Sequence, residues 1–193
     1  MTSEKIIGTS LVLGLIIFAS SITPGPDFSV VKPAMAAGTL TRVNIVPLTN
    51  LAFYDTTLEF FFRTATTGTI KTIEIVFPVV GAAIDVRNAT LIERSGLEPG
   101  TISGSFDPTT GQPKLTYTIT TPSSVTSNQN VRLEVAKIVF RVVDPLSATI
   151  TTKGTTGNII DGPTQSPKFN MKFLILTPPN AVSQNLTNQS IIN

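Results

Sequence analysis

Thr69-Ile70-Lys71-Thr72-Ile73-Glu74-Ile75-Val76-Phe77-Pro78 alternates with a period of two. Ile73, Ile75 and Phe77 share one face, and Thr72, Glu74 and Val76 share the other. Successive side chains of a strand point to opposite sides, so this pattern belongs to a strand with one buried face. Thr67-Gly68 supplies a turn before it, and Pro78 ends it because proline brings no N–H to a ladder. It is expected to be the central strand of an all-β domain.

Partner strands of the same kind lie on both sides. Upstream, residues 40–46 put Val43 and Ile45 on one face, with Pro47 as the stop. In residues 56–64, Leu58, Phe60 and Phe62 alternate with Glu59, Phe61 and Arg63. Three of the four apolar residues there, Leu58, Phe60 and Phe62, share a face, which suits a core better than an aromatic ligand platform; Phe61 points the other way and could mark an interface. Downstream, residues 79–86 are irregular. Short strands are expected over residues 90–94 and 102–106, separated by the turn Glu98-Pro99-Gly100. Asp107-Pro108-Thr109-Thr110-Gly111 reads as a loop. Residues 115–120 alternate cleanly, with Leu115, Tyr117 and Ile119 inward, and residues 122–130 read as a polar loop.

Residues 131–143 change parity. Val131, Leu133 and Val135 occupy odd positions, whereas Ile138, Phe140 and Val142 occupy even ones. One face cannot bury both sets unless an extra residue intervenes, so a β-bulge or a switch of sheets is expected near Ala136-Lys137. A strand over residues 148–153, a hairpin turn at Gly154-Thr155-Thr156-Gly157 and a last strand over residues 169–176 complete the series. In that last strand Phe169, Met171, Phe173 and Ile175 are expected to face in. No amphipathic helix separates the strands, so a parallel sheet is not expected. The sum is a two-sheet antiparallel sandwich of about seven to nine strands, with a barrel as the second choice.

The chain has 193 residues, of which 13% are charged, about half the usual share. Residues 1–36 read as a signal peptide. Lys5 precedes an apolar run from residue 6 to 18, and Ala34-Met35-Ala36 is an A-x-A site, so Ala34 and Ala36 mark the candidate cleavage. A cut near Ser21, an uncleaved anchor over residues 6–22, or a pilin-like cut after Gly8 are the alternatives; that run sits at the short end of the roughly 17–25 residues that span a bilayer. Residues 37–178 form the sandwich and residues 179–193 a polar, disordered tail. The expected location is secreted, at the cell surface, with membrane contact only through an uncleaved N-terminal segment.

With no Cys and no His, thiolate chemistry, imidazole bases and the usual zinc sites are excluded. A net charge of +2 without a basic run argues against nucleic acid as a partner. A glycoside hydrolase needs two carboxyl groups facing each other across a cleft. Glu59, Glu74 and Glu134 are the candidates by parity, but they read better as solvated charges on outward faces. Calcium needs several converging oxygens; Asp85, Asp107 and Asp161 are scattered, each next to a turn. No catalytic residue, metal ligand or cofactor is assigned. A carbohydrate-binding module lacks its usual platform, since there is no Trp and the tyrosines are Tyr54 and Tyr117. Asn88, Asn185 and Asn188 head N-x-[ST] sequons, candidate glycosylation sites that a chain this rich in Thr and Ser also yields by chance.

Leu40-Thr41-Arg42-Val43, Phe60-Phe61-Phe62, Ile73-Glu74-Ile75-Val76-Phe77-Pro78, Asn88-Ala89-Thr90-Leu91, Ala148-Thr149-Ile150-Thr151-Thr152-Lys153 and Ile159-Ile160-Asp161-Gly162-Pro163-Thr164 together resemble the immunoglobulin-like β-sandwich domains of prokaryotic, especially archaeal, secreted and surface-layer proteins. The likeness covers residues 38–176 and departs at residues 136–146, where an apolar run continues in place of a Gly-containing turn. It implies a structural or adhesive role without catalytic residues. The partners expected are other cell-surface proteins or the chain itself. In the filament version residues 37–47 would serve as a donor strand to a neighbouring copy.

Overall fold

The computed structural model describes residues 37–79 and 83–173. Ten strands follow one another: β1 (Thr41–Pro47), β2 (Asp55–Arg63), β3 (Gly68–Val76), β4 (Ile84–Asp85), β5 (Thr90–Ser95), β6 (Gly100–Phe106), β7 (Pro113–Val125), β8 (Asn130–Phe140), β9 (Thr149–Lys153) and β10 (Ile159–Gln165). They build two five-stranded antiparallel sheets that enclose one core, a β-sandwich. The first runs β10-β9-β3-β7-β6; the second runs β1-β2-β8-β4, with β5 also pairing β8. The strand singled out by its alternation, β3, is the middle strand of the first sheet.

The core lies between the two inner faces. Ile73, Ile75 and Phe77 are fully buried, as are Leu58, Phe60 and Phe62 from β2 and Leu115, Tyr117 and Ile119 from β7. Phe140 meets Phe77 and Phe169 edge to face, with centroids 6.1 and 5.9 Å apart. Tyr117 brings a hydroxyl inside; it donates to the Glu98 carbonyl at 2.8 Å, which ties the β5–β6 turn to the core.

The parity change in β8 is a bulge. Leu58 opposes Val135 and Thr56 opposes Ile138, so Ala136 and Lys137 together face the single residue Thr57. Lys137 takes a left-handed φ of 61°. Val135, Ile138 and Phe140 are therefore all fully buried. The strand stays in its sheet: past the bulge it exchanges β5 for β4 as its neighbour.

Two expectations need correction. Residues 122–125 are not loop; β7 runs on to Val125, with Ser123 and Val125 buried. Their polar composition hides the alternation. Against Lys71 of β3, β7 inserts a wide irregularity between Thr118 and Ser123. It frees the carbonyls of Ile119 and Thr120, which accept from Lys71 Nζ at 2.6 and 2.9 Å. Pro122 falls in this unpaired stretch, where its missing N–H costs nothing.

Nor do residues 169–173 form a strand. They make single bridges only, Phe169 to Leu146 and Lys172 to Leu51. Phe169 and Met171 are buried as expected, but Phe173 is 55% exposed. The pattern is strand-like, yet a strand needs a neighbour along its length, and this segment divides its hydrogen bonds between Leu146 and residues 50–52. The expected Ile175 and Leu176, the leader with Ala34 and Ala36, and the tail with Asn185 and Asn188 lie outside the described residues.

Candidate functional site

The outward face of the second sheet carries the carboxylates that a hydrolase reading would use. Glu59 on β2 pairs across to Glu134 on β8, which pairs across to Glu93 on β5. Three carboxylates thus share one row. Arg132, in the adjacent row, binds all of them: Nε to Glu59 at 2.9 Å, Nη1 to Glu93 at 2.8 Å and Nη2 to Glu134 at 3.1 Å. Hydrogen bonds to Glu59 and then Glu93 push the guanidinium pKa well above its usual value. Cross-strand neighbours on one sheet face, bound to the same cation, do not oppose each other across a cleft, the arrangement that glycoside cleavage uses. Glu74, on the other sheet, pairs with Lys153 at 2.7 Å. Of the three sequence candidates, Glu59 and Glu134 are brought together on Arg132, and Glu74 stands apart.

The three aspartates stay apart as well. Asp85 binds Arg87 at 2.6 Å, and that hydrogen bond holds its carboxyl down at about 2. Asp107 accepts from the backbone N–H of Thr109 and Thr110 within its own loop, and those bonds, Thr110's foremost, lower its pKa. Gly111 closes that loop at φ 68°, the left-handed turn the sequence implies. Among the described residues no group of three or more acidic side chains could hold a metal ion.

Asp161 departs most from its sequence reading. It is fully buried within β10, and its carboxylate bonds distant residues rather than a neighbouring turn. Its carboxylate accepts from Ala65 N–H at 3.2 Å, from Thr66 N–H at 3.1 Å and from the Thr66 hydroxyl at 2.8 Å. Its own N–H donates to Thr152 Oγ1 at 3.0 Å. Gly38 lies against the same carboxylate, closely enough that a Cβ there would collide with Oδ1. One anion therefore ties β10, the β2–β3 turn and the N-terminal segment together. A buried carboxylate satisfied by three donors is a structural clamp.

What the sequence reading missed is an apolar end on the second sheet. Leu48, Phe53 and Tyr54, from the β1–β2 connection, are 50, 56 and 52% exposed, and Val46 beside them is 41% exposed. Phe53 is held at φ 68°, a left-handed conformation that bulky residues rarely adopt. Its N–H donates to the Phe140 carbonyl at 2.6 Å, and its ring stacks on Phe173 at 5.7 Å with 16° between planes. The sequence signal was two adjacent aromatics inside a turn, where no alternation assigns them a face. Phe61, singled out for its outward parity, is half-buried between Asn44 and Arg132 across its two neighbouring strands. Asn88 is exposed in the turn before β5.

No protein-family model matches the chain, and no curated protein does. Among solved structures it is similar to an uncharacterized protein from Nocardia farcinica with an immunoglobulin-like fold, at 16% identity and TM-score 0.44, over 67% of this chain and 96% of that one. It is also similar to a non-cellulosomal cohesin from the archaeon Archaeoglobus fulgidus (12% identity, TM-score 0.41, 67% and 91% covered). A third is the major pilin SpaD of Corynebacterium diphtheriae (11% identity, TM-score 0.43), of which the likeness spans 33%, and 65% of this chain. The architecture of this chain stands on its own strand pairing.

Proposed function

We propose that this chain is a secreted cell-surface module of structural or adhesive role, which acts by contact and turns over no substrate. The observation that carries it is the apolar end. Four large side chains of one hairpin stand about half exposed, and Phe173, itself exposed, stacks on Phe53 among them. A strained aromatic held outward is what a contact surface needs and what folding alone disfavours. Glu59, Glu74 and Glu134, by contrast, are paired to Arg132 or Lys153, and Asp161 is buried in a structural role. A surface-layer setting and an archaeal source belong to the same proposal. So does removal of residues 1–36. Asn88 is an accessible glycan site in this reading.

The test is to add purified protein to envelopes of the producing cell and measure retention, for wild type and for Leu48→Ser/Phe53→Ser. Retention that falls at least tenfold in the variant supports the contact reading. Equal retention, or a wild-type chain found intact in the cytosol, overturns it. Competition by soluble sugars would transfer the same surface to the carbohydrate-binding alternative.

A second reading has its own observation. Residues 37–47 pass from one sheet to the other. Gly38 donates to the Ile160 carbonyl at 3.0 Å and accepts from Gly162 N–H at 2.7 Å, along the outer edge of β10. Beyond Arg42, at φ 51°, β1 pairs β2 in the second sheet. A segment that completes two edges is one that a neighbouring copy could supply, and this keeps the strand-donating filament as the alternative. Sedimentation of a variant lacking residues 37–47, with and without that peptide in trans, tests it; no rescue of solubility by the peptide refutes it.

A further inference from the structure

A sheet edge exposes a row of unpaired N–H and C=O groups, and soluble proteins usually block such rows. Three of the four edge regions here are blocked. The outer edge of β10 is bonded by Gly38, and Leu40 N–H reaches Thr164 Oγ1 at 3.1 Å. β1 is kinked at Arg42, shifts register before Asn44 and ends on Pro47. On the far side of the second sheet, β4 has two residues, while β5 shifts register after Leu91 and carries Glu93 and Arg94. The fourth edge, β6, has none of these devices.

Gly100-Thr101-Ile102-Ser103-Gly104-Ser105-Phe106 pairs β7 residue for residue without a register shift. It contains no charge and no proline. Among the described residues no backbone group bonds it from the side away from β7. Val86 approaches Gly104, but from the inner face, where a Cβ would collide with its carbonyl. Thr101, Ser103 and Ser105 are exposed on the outer face.

We infer that β6 pairs antiparallel with β6 of a second copy about a twofold axis at Ser103, joining the two first sheets into one. The sequence of the strand favours itself as the partner. In that register Phe106 lies opposite Gly100 and Ile102 opposite Gly104, so each large side chain meets a position without one. Across a strand pair, an aromatic beside a glycine covers the backbone that the glycine leaves open. On the outer face Thr101 lies opposite Ser105, and Ser103 opposite its own copy, an all-hydroxyl row with no like charges to repel. The twofold makes every contact occur twice, as a closed isologous interface demands. Seven residues extend about 24 Å, and a ribbon that size falls below the ~1,200 Å² of a standard interface, so the pairing is weak and concentration-dependent. It uses neither the apolar end nor residues 37–47, and goes beyond the contact reading.

The experiment is sedimentation equilibrium of the purified mature chain from micromolar to submillimolar concentration. Wild type is expected to show a monomer–dimer equilibrium. Thr101→Lys/Ser105→Lys places lysines opposite each other twice and should weaken dimerisation at least tenfold. Thr101→Lys/Ser105→Glu places opposite charges there and should restore or exceed the wild-type constant. Both pairs lie on an exposed face, and an unchanged far-ultraviolet circular dichroism spectrum confirms the fold. A monomeric wild type throughout the range, or a dimer that the two double variants do not distinguish, overturns the inference.

Discussion

Deleting Lys137 should straighten β8 without inverting it. With one residue fewer between Val135 and Ile138, Ala136 alone faces Thr57, and strict alternation keeps Val135, Ile138 and Phe140 on the inner face. The burial of Ile138 and Phe140 is kept, as are the edge-to-face contacts of Phe140 with Phe77 and Phe169. Losing one non-glycine residue at φ 61° relieves about 1–2 kcal/mol, so the deletion variant should lie within about 2 kcal/mol of wild type. Lys137→Val is the opposed perturbation. It keeps the chain length, so either the bulge survives with a β-branched residue in the left-handed region, at about 1–2 kcal/mol, or the bulge is lost and Ile138 and Phe140 turn outward, at about 1.5–3 kcal/mol each. Lys137→Gly is the matched control. It keeps the bulge and suits its φ of 61°, so it should stay within about 1 kcal/mol of wild type. Urea unfolding followed by circular dichroism suits a chain without Trp. A deletion variant destabilised by more than about 3 kcal/mol, the cost of turning buried side chains outward, would refute the assignment of a single extra residue as the device that keeps both halves of β8 in the core.

Asp161→Ala leaves the N–H groups of Ala65 and Thr66 without their acceptor in a buried site. A loss of about 2–4 kcal/mol is expected from thermal unfolding, with amide exchange at residues 38–40 accelerating more than in the core; uniform acceleration would contradict the clamp. The Asp85–Arg87 pair predicts a pH effect of definite sign. The folded pKa of about 2 lies below the ordinary aspartate value of 3.8, so its contribution is complete above about pH 4–5 and disappears as pH falls through 2. Arg87 is 65% exposed, which screens the nominal value to under about 1 kcal/mol. Arg87→Gln should return the Asp85 midpoint, followed by carboxyl NMR, to near its ordinary range; an unmoved midpoint would assign the shift elsewhere.

Period-two alternation is a local property, and the parts of the fold that depend on it were legible. β2 and β3 show their buried face directly, and the odd-to-even switch after Val135 is enough by itself to announce the bulge. Alternation fails where burial is made of small polar groups: Ser123 and Val125 belong to β7, yet the serines and threonines around them read as loop. It also fails where pairing is tertiary. Residues 169–173 have the pattern of a strand, but the sandwich offers them single bridges at Leu146 and Leu51 instead of an edge. Asp161 is the same failure in polar form. An aspartate beside Gly162-Pro163 looks like a turn residue, and its donors are supplied from Ala65 and Thr66, about ninety-five residues away. The apolar end was invisible because Phe53 and Tyr54 sit in a turn, where position in the sequence assigns no face.

The two ways in which copies of this chain could associate differ sharply in what the monomer must give up. Releasing residues 38–47 would expose Leu40 and Ile45, both 3% accessible, at about 1.5–3 kcal/mol each. It would also strip the backbone bonds of Gly38 and the whole β1–β2 ladder. The second sheet would then end on β2, whose Leu58, Phe60 and Phe62 would lose part of their cover. A closed monomer does not pass through that state readily, so strand donation would have to occur before the segment docks on its own sandwich, during export or folding. The β6 edge asks for nothing of the kind. Among the described residues nothing bonds its outward backbone groups, and its outer side chains are short hydroxyls, so pairing breaks no contact seen there. Association that appears on concentrating folded protein and reverses on dilution therefore belongs to β6, whereas polymers that form only when unfolded chain is refolded, and then persist on dilution, belong to residues 37–47.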